Sequence, residues 1–282
     1  MHFALVANNR VEASPNLKGL CPCCSQPVNA KCGSQKIWHW AHRSKTNCDN
    51  WWEPETEWHR NWKNNYPAGW QEISLTDCRT REKHITDVRT EHNLVIEFQH
   101  SHIEPQERTA REKFYKSMVW VVDGTRLKRD STLFFKEWNS YGISAVRKTD
   151  KPGIFEVLFP EFCFPPAWLK SSVPVIFDFQ DDSMDDSKGK CNILYCLFPQ
   201  FGRKARVAEI SRKAFTETTK NGEWSSRVQN FIDNFKKQDA IEQQKEQQNQ
   251  SRSVGLKWRG VPKEWINKYQ LKRQIAASLR RG

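Results

Sequence analysis

The sequence contains no run of about eighteen apolar residues, the length that a transmembrane helix requires. Its first residues also lack the basic start and apolar stretch of a secretory signal. We therefore expect no membrane partner and a cytoplasmic location. Disulfides are not expected either, although the chain has nine cysteines, because five of them cluster before residue 50. In a reducing compartment, clustered thiols bind metal more often than they form a disulfide scaffold.

The sequence has fewer acidic residues than basic ones. The 282 residues include 45 Lys and Arg against 33 Asp and Glu, a formal net charge of +12. A basic protein of this size often binds a polyanion, and nucleic acid is the usual one. The alternative is a soluble protein with a high isoelectric point, which charge alone does not exclude.

Two runs of apolar and β-branched residues, 84–89 and 94–101, flank a polar turn and predict a β-hairpin. Asp87 lies on the first strand, and Glu97 and Gln99 share a face of the second. Two carboxylates that meet at one point repel each other unless a cation lies between them. Oxygen ligands suit Mg²⁺ or Mn²⁺. The alternative is a hairpin with a solvated acidic face.

A helix is predicted after the hairpin. Ser101 and Glu104 have the spacing of a capping box, and Pro105 suits the first helical turn. Arg111 and Tyr115 are four apart on one helix face, where they could touch a phosphate. An apolar run after the helix is typical of a buried strand. Strand, strand, helix, strand with carboxylates on the hairpin is the core order of the PD-(D/E)xK nuclease fold.

The N-terminal cysteines have metal-ligand spacing. Cys21 and Cys24 form half of a tetrahedral zinc site, which needs four ligands. His39, His42 and Cys48 are the nearest candidates for the other two positions. The alternative is a set of reduced cysteines without metal.

Several motifs together resemble one known family. They are Cys21-Pro-Cys-Cys24, His39-Trp-Ala-His42 with Cys48, the segments 55–63, 86–88 and 96–101, and Arg111-x-x-x-Tyr115. In order and spacing the chain is similar to the CoiA-like family, competence-associated proteins with a predicted PD-(D/E)xK nuclease domain. The resemblance implies a nuclease or a binding protein derived from one.

The resemblance also implies roles for particular residues. Asp87 and Glu97 would hold Mg²⁺ or Mn²⁺, and Glu57, from a helix predicted over residues 53–66 and opened by Glu53 and Pro54, would add a carboxylate. Gln99 would orient water or a phosphate oxygen, in a position where many members of the wider superfamily have Lys. Lys63, Lys83 or Lys113 could supply that charge instead. Arg111 and Tyr115 would bind substrate, or alternatively pack the helix on the hairpin.

The family pattern also has a Cys after the second His of the N-terminal motif. It therefore favours His42 and Cys48 over His39 as the zinc ligands that complete the set with Cys21 and Cys24. Four protein ligands leave no position open for water, so this zinc would be structural.

We therefore predict an α/β protein with a PD-(D/E)xK restriction-endonuclease-like core. The expected divisions are a zinc module (1–52), the nuclease core (53–130), an α+β extension (131–224) and a polar, basic helical or disordered tail (225–282). The expected function is metal-dependent cleavage of DNA in bacterial DNA processing or defence against foreign DNA. The alternative is a non-catalytic nucleic-acid-binding adaptor. A homo-oligomer or a protein partner in such a complex is left open.

Overall fold

The computed structural model describes residues 1–44, 48–49, 51, 53–139, 146–180, 192–200 and 204–257. The chain divides into two compact units, Met1–Ile232 and Asp233–Gly282. Residues 258–282, most of the basic tail, lie outside the described residues.

A small antiparallel sheet forms the N-terminal part. Its strands are β1 (Phe3–Val6), β2 (Asn9–Glu12), β3 (Lys18–Leu20), β4 (Pro27–Lys31) and β5 (His39–His42), in the order β2-β1-β3-β4-β5. Trp40 lies in its small core with Ala4, Val28 and Cys21. The Trp40 indole nitrogen donates to the Val11 carbonyl at 2.9 Å, so the polar edge of this buried ring is satisfied.

Helix α1 (Glu57–Lys63) follows. The predicted start at Glu53 and Pro54 was wrong. Thr56 is the N-cap instead, because its hydroxyl accepts from the His59 backbone nitrogen while the His59 ring accepts from the Thr56 backbone. This reciprocal capping box satisfies two of the free donors at the helix start.

A nine-stranded mixed sheet forms the rest of the core. Its strands are β6 (Gln71–Thr76), β7 (Lys83–Arg89), β8 (Val95–Gln99), β9 (Met118–Asp123), β10 (Val146–Lys148), β11 (Ile154–Val157), β12 (Val175–Asp178), β13 (Ile193–Leu197) and β14 (Ala205–Ser211). The order is β10-β11-β14-β13-β12-β9-β8-β7-β6. The pairs β8–β9 and β9–β12 are parallel, and the other pairs are antiparallel.

Five more helices accompany these strands. They are α2 (Pro105–Tyr115), α3 (Lys128–Asn139), α4 (Pro166–Leu169), α5 (Arg212–Lys220) and α6 (Glu223–Lys257). The α2 helix begins at Pro105 as predicted, but Ser101 does not cap it. Its N-cap is Glu104 without a side-chain hydrogen bond, and Ser101 instead binds Glu53.

The β7–β8 hairpin is confirmed, with Val88 opposite Ile96 and Arg89 opposite Val95. The predicted α/β class is confirmed as well. Strands on both sides of residue 130 belong to the same large sheet, and the core around Phe134 draws side chains from both parts. The division predicted at that residue stays a prediction.

Among the described residues, no helix combines the length and the apolar character that crossing a lipid bilayer requires.

Candidate functional site

A cleft of about 350 Å³ lies between the small sheet and the β7–β8 hairpin. One wall comes from the N-terminal segment and includes His42 and Cys48, and the other includes Asp87 and Glu97. Six carboxylates line the cleft, from Asp49, Glu53, Glu55, Glu72, Asp87 and Glu97. Among the described residues of the lining, the lysine and arginine side chains are those of Lys63 and Arg111. The described lining is therefore strongly acidic in a protein that is basic overall.

Asp87 and Glu97 meet across the hairpin. The Asp87 backbone nitrogen donates to Glu97 Oε1 at 3.2 Å, and the Phe98 backbone nitrogen donates to Asp87 Oδ2 at 2.9 Å. Each carboxylate thus takes a hydrogen bond from the strand that carries the other. The hairpin pairing itself fixes the two groups side by side, as the sequence predicted.

The environment disfavours two negative charges here. Burial raises the pKa of Glu97 well above its usual range, and the neighbouring charge of Asp87 raises it further. Burial also raises the pKa of Asp87, against the opposing charges of Lys63 and His59. A cation held between the two carboxylates would relieve this cost.

Lys63 projects from the end of α1 into the same wall. Its ammonium nitrogen is 2.6 Å from Glu55 Oε1, 3.1 Å from Glu72 Oε1 and 3.8 Å from Asp87 Oδ1. Burial opposes the charge, but Glu72, Glu55 and Asp87 outweigh it and raise the pKa of Lys63. Lys63 therefore stays protonated at neutral pH.

Gln99 is not part of the cleft lining, and its side-chain amide hydrogen-bonds the carboxylate of Glu53. Its Nε2 donates to Glu53 Oε2 at 3.0 Å and to Ser101 Oγ at 3.1 Å. Glu53 in turn lies 2.7 Å from His59 Nε2. Burial opposes protonation of His59, but the hydrogen bond that His59 donates to Glu53 and the charge of Asp87 raise its pKa. In this structure Gln99 orients Glu53, and the role predicted for it toward water or phosphate stays a prediction.

Arg111 reaches the cleft and Tyr115 does not. Arg111 lies 3.2 Å from Glu97 Oε2 and also donates to the Trp51 carbonyl at 2.6 Å. Tyr115 is only 8 % exposed and packs against the rings of Trp51 and Phe114. Its position matches the alternative in which this residue packs the helix on the hairpin.

Glu57 is also absent from the cleft lining. It is exposed on the first turn of α1, because the N-cap at Thr56 starts the helix there. Glu53 and Glu55 line the cleft in its place. The sequence signals only the neighbouring groups, through the spacing of four between His59 and Lys63, which sets these two side chains on one face of α1.

The carboxylate pair suits a hard cation with few protein ligands. Mg²⁺ is usually held by one or two carboxylates, with water and substrate phosphate completing the shell. The buried Glu97 and the half-buried Asp87, whose charges repel each other, fit this requirement. Among the described residues, a compact group of three or more His, Cys, Asp or Glu ligands occurs only in the N-terminal segment.

That group consists of Cys21, Cys24, His42 and Cys48, whose ligand atoms all lie within 4.8 Å of one another. The sulfurs of Cys21 and Cys48 are 3.6 Å apart, and the Cys24 sulfur is 3.3 Å from His42 Nε2. A tetrahedral zinc with bonds of about 2.3 Å to sulfur requires ligand separations of about 3.8 Å. The Cys3His cluster could therefore hold a structural metal such as zinc.

His39 is separate from this cluster. Its Nδ1 lies 2.9 Å from the Ile37 carbonyl.

Burial raises the pKa of Cys21, so its thiolate form needs a nearby cation to be stable. The structure thus brings together the four residues favoured from the sequence, in a group that could hold a metal ion.

Two protein-family models match the chain. The model described as the N-terminal domain of competence protein CoiA matches residues 9–50, and the nuclease-like domain of the same protein matches residues 72–162. Both matches are to the CoiA competence protein family, so these two segments are similar to its N-terminal and nuclease-like domains. The first match covers the metal cluster and the second covers Asp87 and Glu97, so the family and its nuclease-like fold are those the sequence predicted. No curated protein and no solved structure gives a significant match.

A nuclease-like domain of this family indicates a nuclease-related role and an interaction with nucleic acid. The reaction, the substrate and the catalytic metal ion require a separate argument from the cleft.

Proposed function

We propose that the chain is a metal-dependent nuclease that hydrolyses DNA phosphodiester bonds at the cleft beside Asp87 and Glu97. The observation that carries the proposal is the meeting of these two carboxylates across the hairpin, at hydrogen-bond distance from each other's strands. Such a pair in a cleft is a poor phosphate site by itself, because both groups repel the phosphate. It becomes a suitable one when a divalent cation is shared between protein and substrate.

The chemistry can be divided between ion and protein. Mg²⁺ or Mn²⁺, when bound, supplies Lewis-acid stabilisation of the phosphate and a lowered pKa for water. Asp87 and Glu97 would hold the ion. Arg111 holds the Glu97 carboxylate at 3.2 Å and so fixes one side of the site. His59, fixed by Glu53, adds a polar group to the same cleft.

Zinc in the Cys3His cluster would have a structural role in this scheme. His42 and Cys48 line the cleft that Asp87 and Glu97 also line. Asp49 follows Cys48 and accepts from the backbone of Ile85 on β7 at 2.8 Å. Metal at the cluster would thus stabilise the wall that faces the carboxylates.

A cleavage panel tests the proposal. Supercoiled plasmid, linear duplex, single-stranded DNA and RNA would be incubated with the protein in Mg²⁺, in Mn²⁺ and in EDTA. We expect DNA cleavage with either ion and none in EDTA. Binding without cleavage under every condition would overturn the nuclease assignment and favour the non-catalytic adaptor. Cleavage of RNA alone would overturn the choice of DNA as substrate.

A further inference from the structure

Lys63 is a buried lysine in an acidic wall of the cleft. Its side chain is 3 % exposed, and lysine is almost never buried so fully unless it is paired. The charge is paired with Glu55 and Glu72, both at hydrogen-bond distance. Burial of three charged groups is costly, and apolar side chains of the same size are often as stable. A contribution to folding stability therefore does not explain why Lys63, Glu55 and Glu72 are buried together.

One N–H donor of the Lys63 ammonium group is used by neither Glu55 nor Glu72. An ammonium group has three N–H donors and no acceptor. Two are accounted for by Glu55 at 2.6 Å and Glu72 at 3.1 Å. The next carboxylate, Asp87, is 3.8 Å away, which is too long for a hydrogen bond. An oxygen atom that enters the cleft beside Asp87 could therefore accept from Lys63.

The surroundings hold Lys63 firmly in this place. Glu72 accepts from the backbone nitrogens of His2 and Phe3, where the small sheet begins, as well as from Lys63. Its φ of 48° is one that residues other than glycine rarely adopt, and such conformations persist where the surroundings enforce them. Glu55 has Arg60 as a second cation at 2.8 Å. Both carboxylates are thus fixed independently of Lys63.

We propose that Lys63 is the cation that donates a hydrogen bond to the scissile phosphate, from helix α1 rather than from the hairpin strand where Gln99 stands. This inference rests on the proposed function. Lys63 keeps its proton throughout and stabilises the negative charge that grows on the phosphate oxygens. The other two lysines considered from the sequence are exposed and outside the cleft lining, Lys83 on β7 and Lys113 on α2.

Simple removal of Lys63 would leave Glu72 buried without a cation, and an uncompensated buried charge is strongly destabilising. The test therefore compares Glu72→Gln with the double variant Glu72→Gln/Lys63→Gln. Both lack the Glu72 charge, and Glu55 keeps Arg60 in both. Lys63→Met in the Glu72→Gln background is a second, apolar replacement. Lys83→Gln is the matched control, an exposed lysine away from the cleft.

Two readouts are measured on folded protein, with thermal unfolding as the check of folding. The first is the single-turnover cleavage rate with Mg²⁺ at saturating DNA. We expect the double variants to be slower than Glu72→Gln by about 10²–10³-fold, the effect of removing one preorganised donor to a transition state. The second is the salt dependence of duplex binding with Ca²⁺ in place of Mg²⁺. Loss of one phosphate contact should reduce the log–log slope by about 0.9.

Equal cleavage rates for Glu72→Gln and the double variants would overturn the proposal for Lys63 while leaving the nuclease assignment intact. A chain that cleaves nothing would instead defeat the nuclease assignment. In that case the binding slope decides for Lys63, since a reduced slope keeps it as a phosphate contact and an unchanged slope rejects it. Lys83→Gln should match the wild-type cleavage rate.

Discussion

Asp178 ties helix α1 to the large sheet, and its replacement should be strongly destabilising. It lies at the end of β12, and its carboxylate is 2 % exposed. Oδ2 accepts from the indole nitrogens of Trp58 at 3.0 Å and Trp62 at 2.9 Å, and Oδ1 accepts from Arg212 at 2.7 Å. Both tryptophans belong to the helix that carries Lys63.

The expected magnitude follows from these partners. Asp178→Ala leaves the buried indole N–H of Trp62 without an acceptor, at about 1–3 kcal/mol, and removes the ion pair of Arg212. Contributions within one network do not add fully, so we expect a total loss of about 3–5 kcal/mol, as for other broken buried pairs. Asp178→Asn keeps the shape and one acceptor oxygen and should lose less.

Urea unfolding followed by circular dichroism at pH 7.5 measures this directly. Asp150→Ala is the control, because Asp150 is exposed and its substitution should stay within about 0.5 kcal/mol of wild type. A loss below about 1 kcal/mol for Asp178→Ala would refute the reasoning, since no single hydrogen bond to a buried charge is expected to contribute so little.

Two further predictions concern the metal cluster and Glu72. Protein purified without added metal should carry one zinc per chain by elemental analysis. The Cys24→Ser variant should lose this zinc, and the small sheet should become less stable. Normal folding of the wild-type protein with negligible zinc would contradict this prediction. Burial opposes ionisation of Glu72, but Lys63 holds its pKa at about 2, below the ordinary 4.5. Its contribution to folding is therefore present above pH 4.5 and lost as the pH falls toward 2. At pH 7 the unfolding free energy of Glu72→Gln should lie below that of wild type, and this difference should shrink as the pH falls. A difference that does not change with pH would contradict the stabilisation of Glu72 by Lys63.

The hairpin could be predicted from a short-range pattern, and the metal cluster from short-range spacing together with the family pattern, which favours His42 and Cys48 over His39. Alternation along two strands joined by a turn places Asp87 beside Glu97, and the four residues of the cluster, Cys21 to Cys48, all lie within 28 positions of one another. The parallel pairing of β8 with β9 likewise follows from the helix that connects them.

Other parts of the site depend on contacts that no local pattern encodes. Gln99 hydrogen-bonds Glu53, which lies 46 residues away in the sequence. The position of Gln99 two residues after Glu97 therefore does not predict this contact. Glu57 was expected in the site because the family resemblance implies a carboxylate from this helix, but Glu57 is exposed on the first turn after the Thr56 cap. Glu72 enters through an unusual backbone conformation, which the sequence does not reveal.

In the proposed mechanism, Asp87 and Glu97 together hold the ion that cleavage requires. Single-turnover cleavage of one duplex in Mg²⁺ by wild type, Asp87→Ala and Glu97→Ala tests it most directly. Glu91→Ala is the control, an exposed carboxylate on the turn of the same hairpin. We expect no cleavage by either site variant, although both should fold and bind DNA as tightly as wild type or more tightly. The control should cleave at the wild-type rate. Cleavage at the wild-type rate by either site variant would contradict this mechanism.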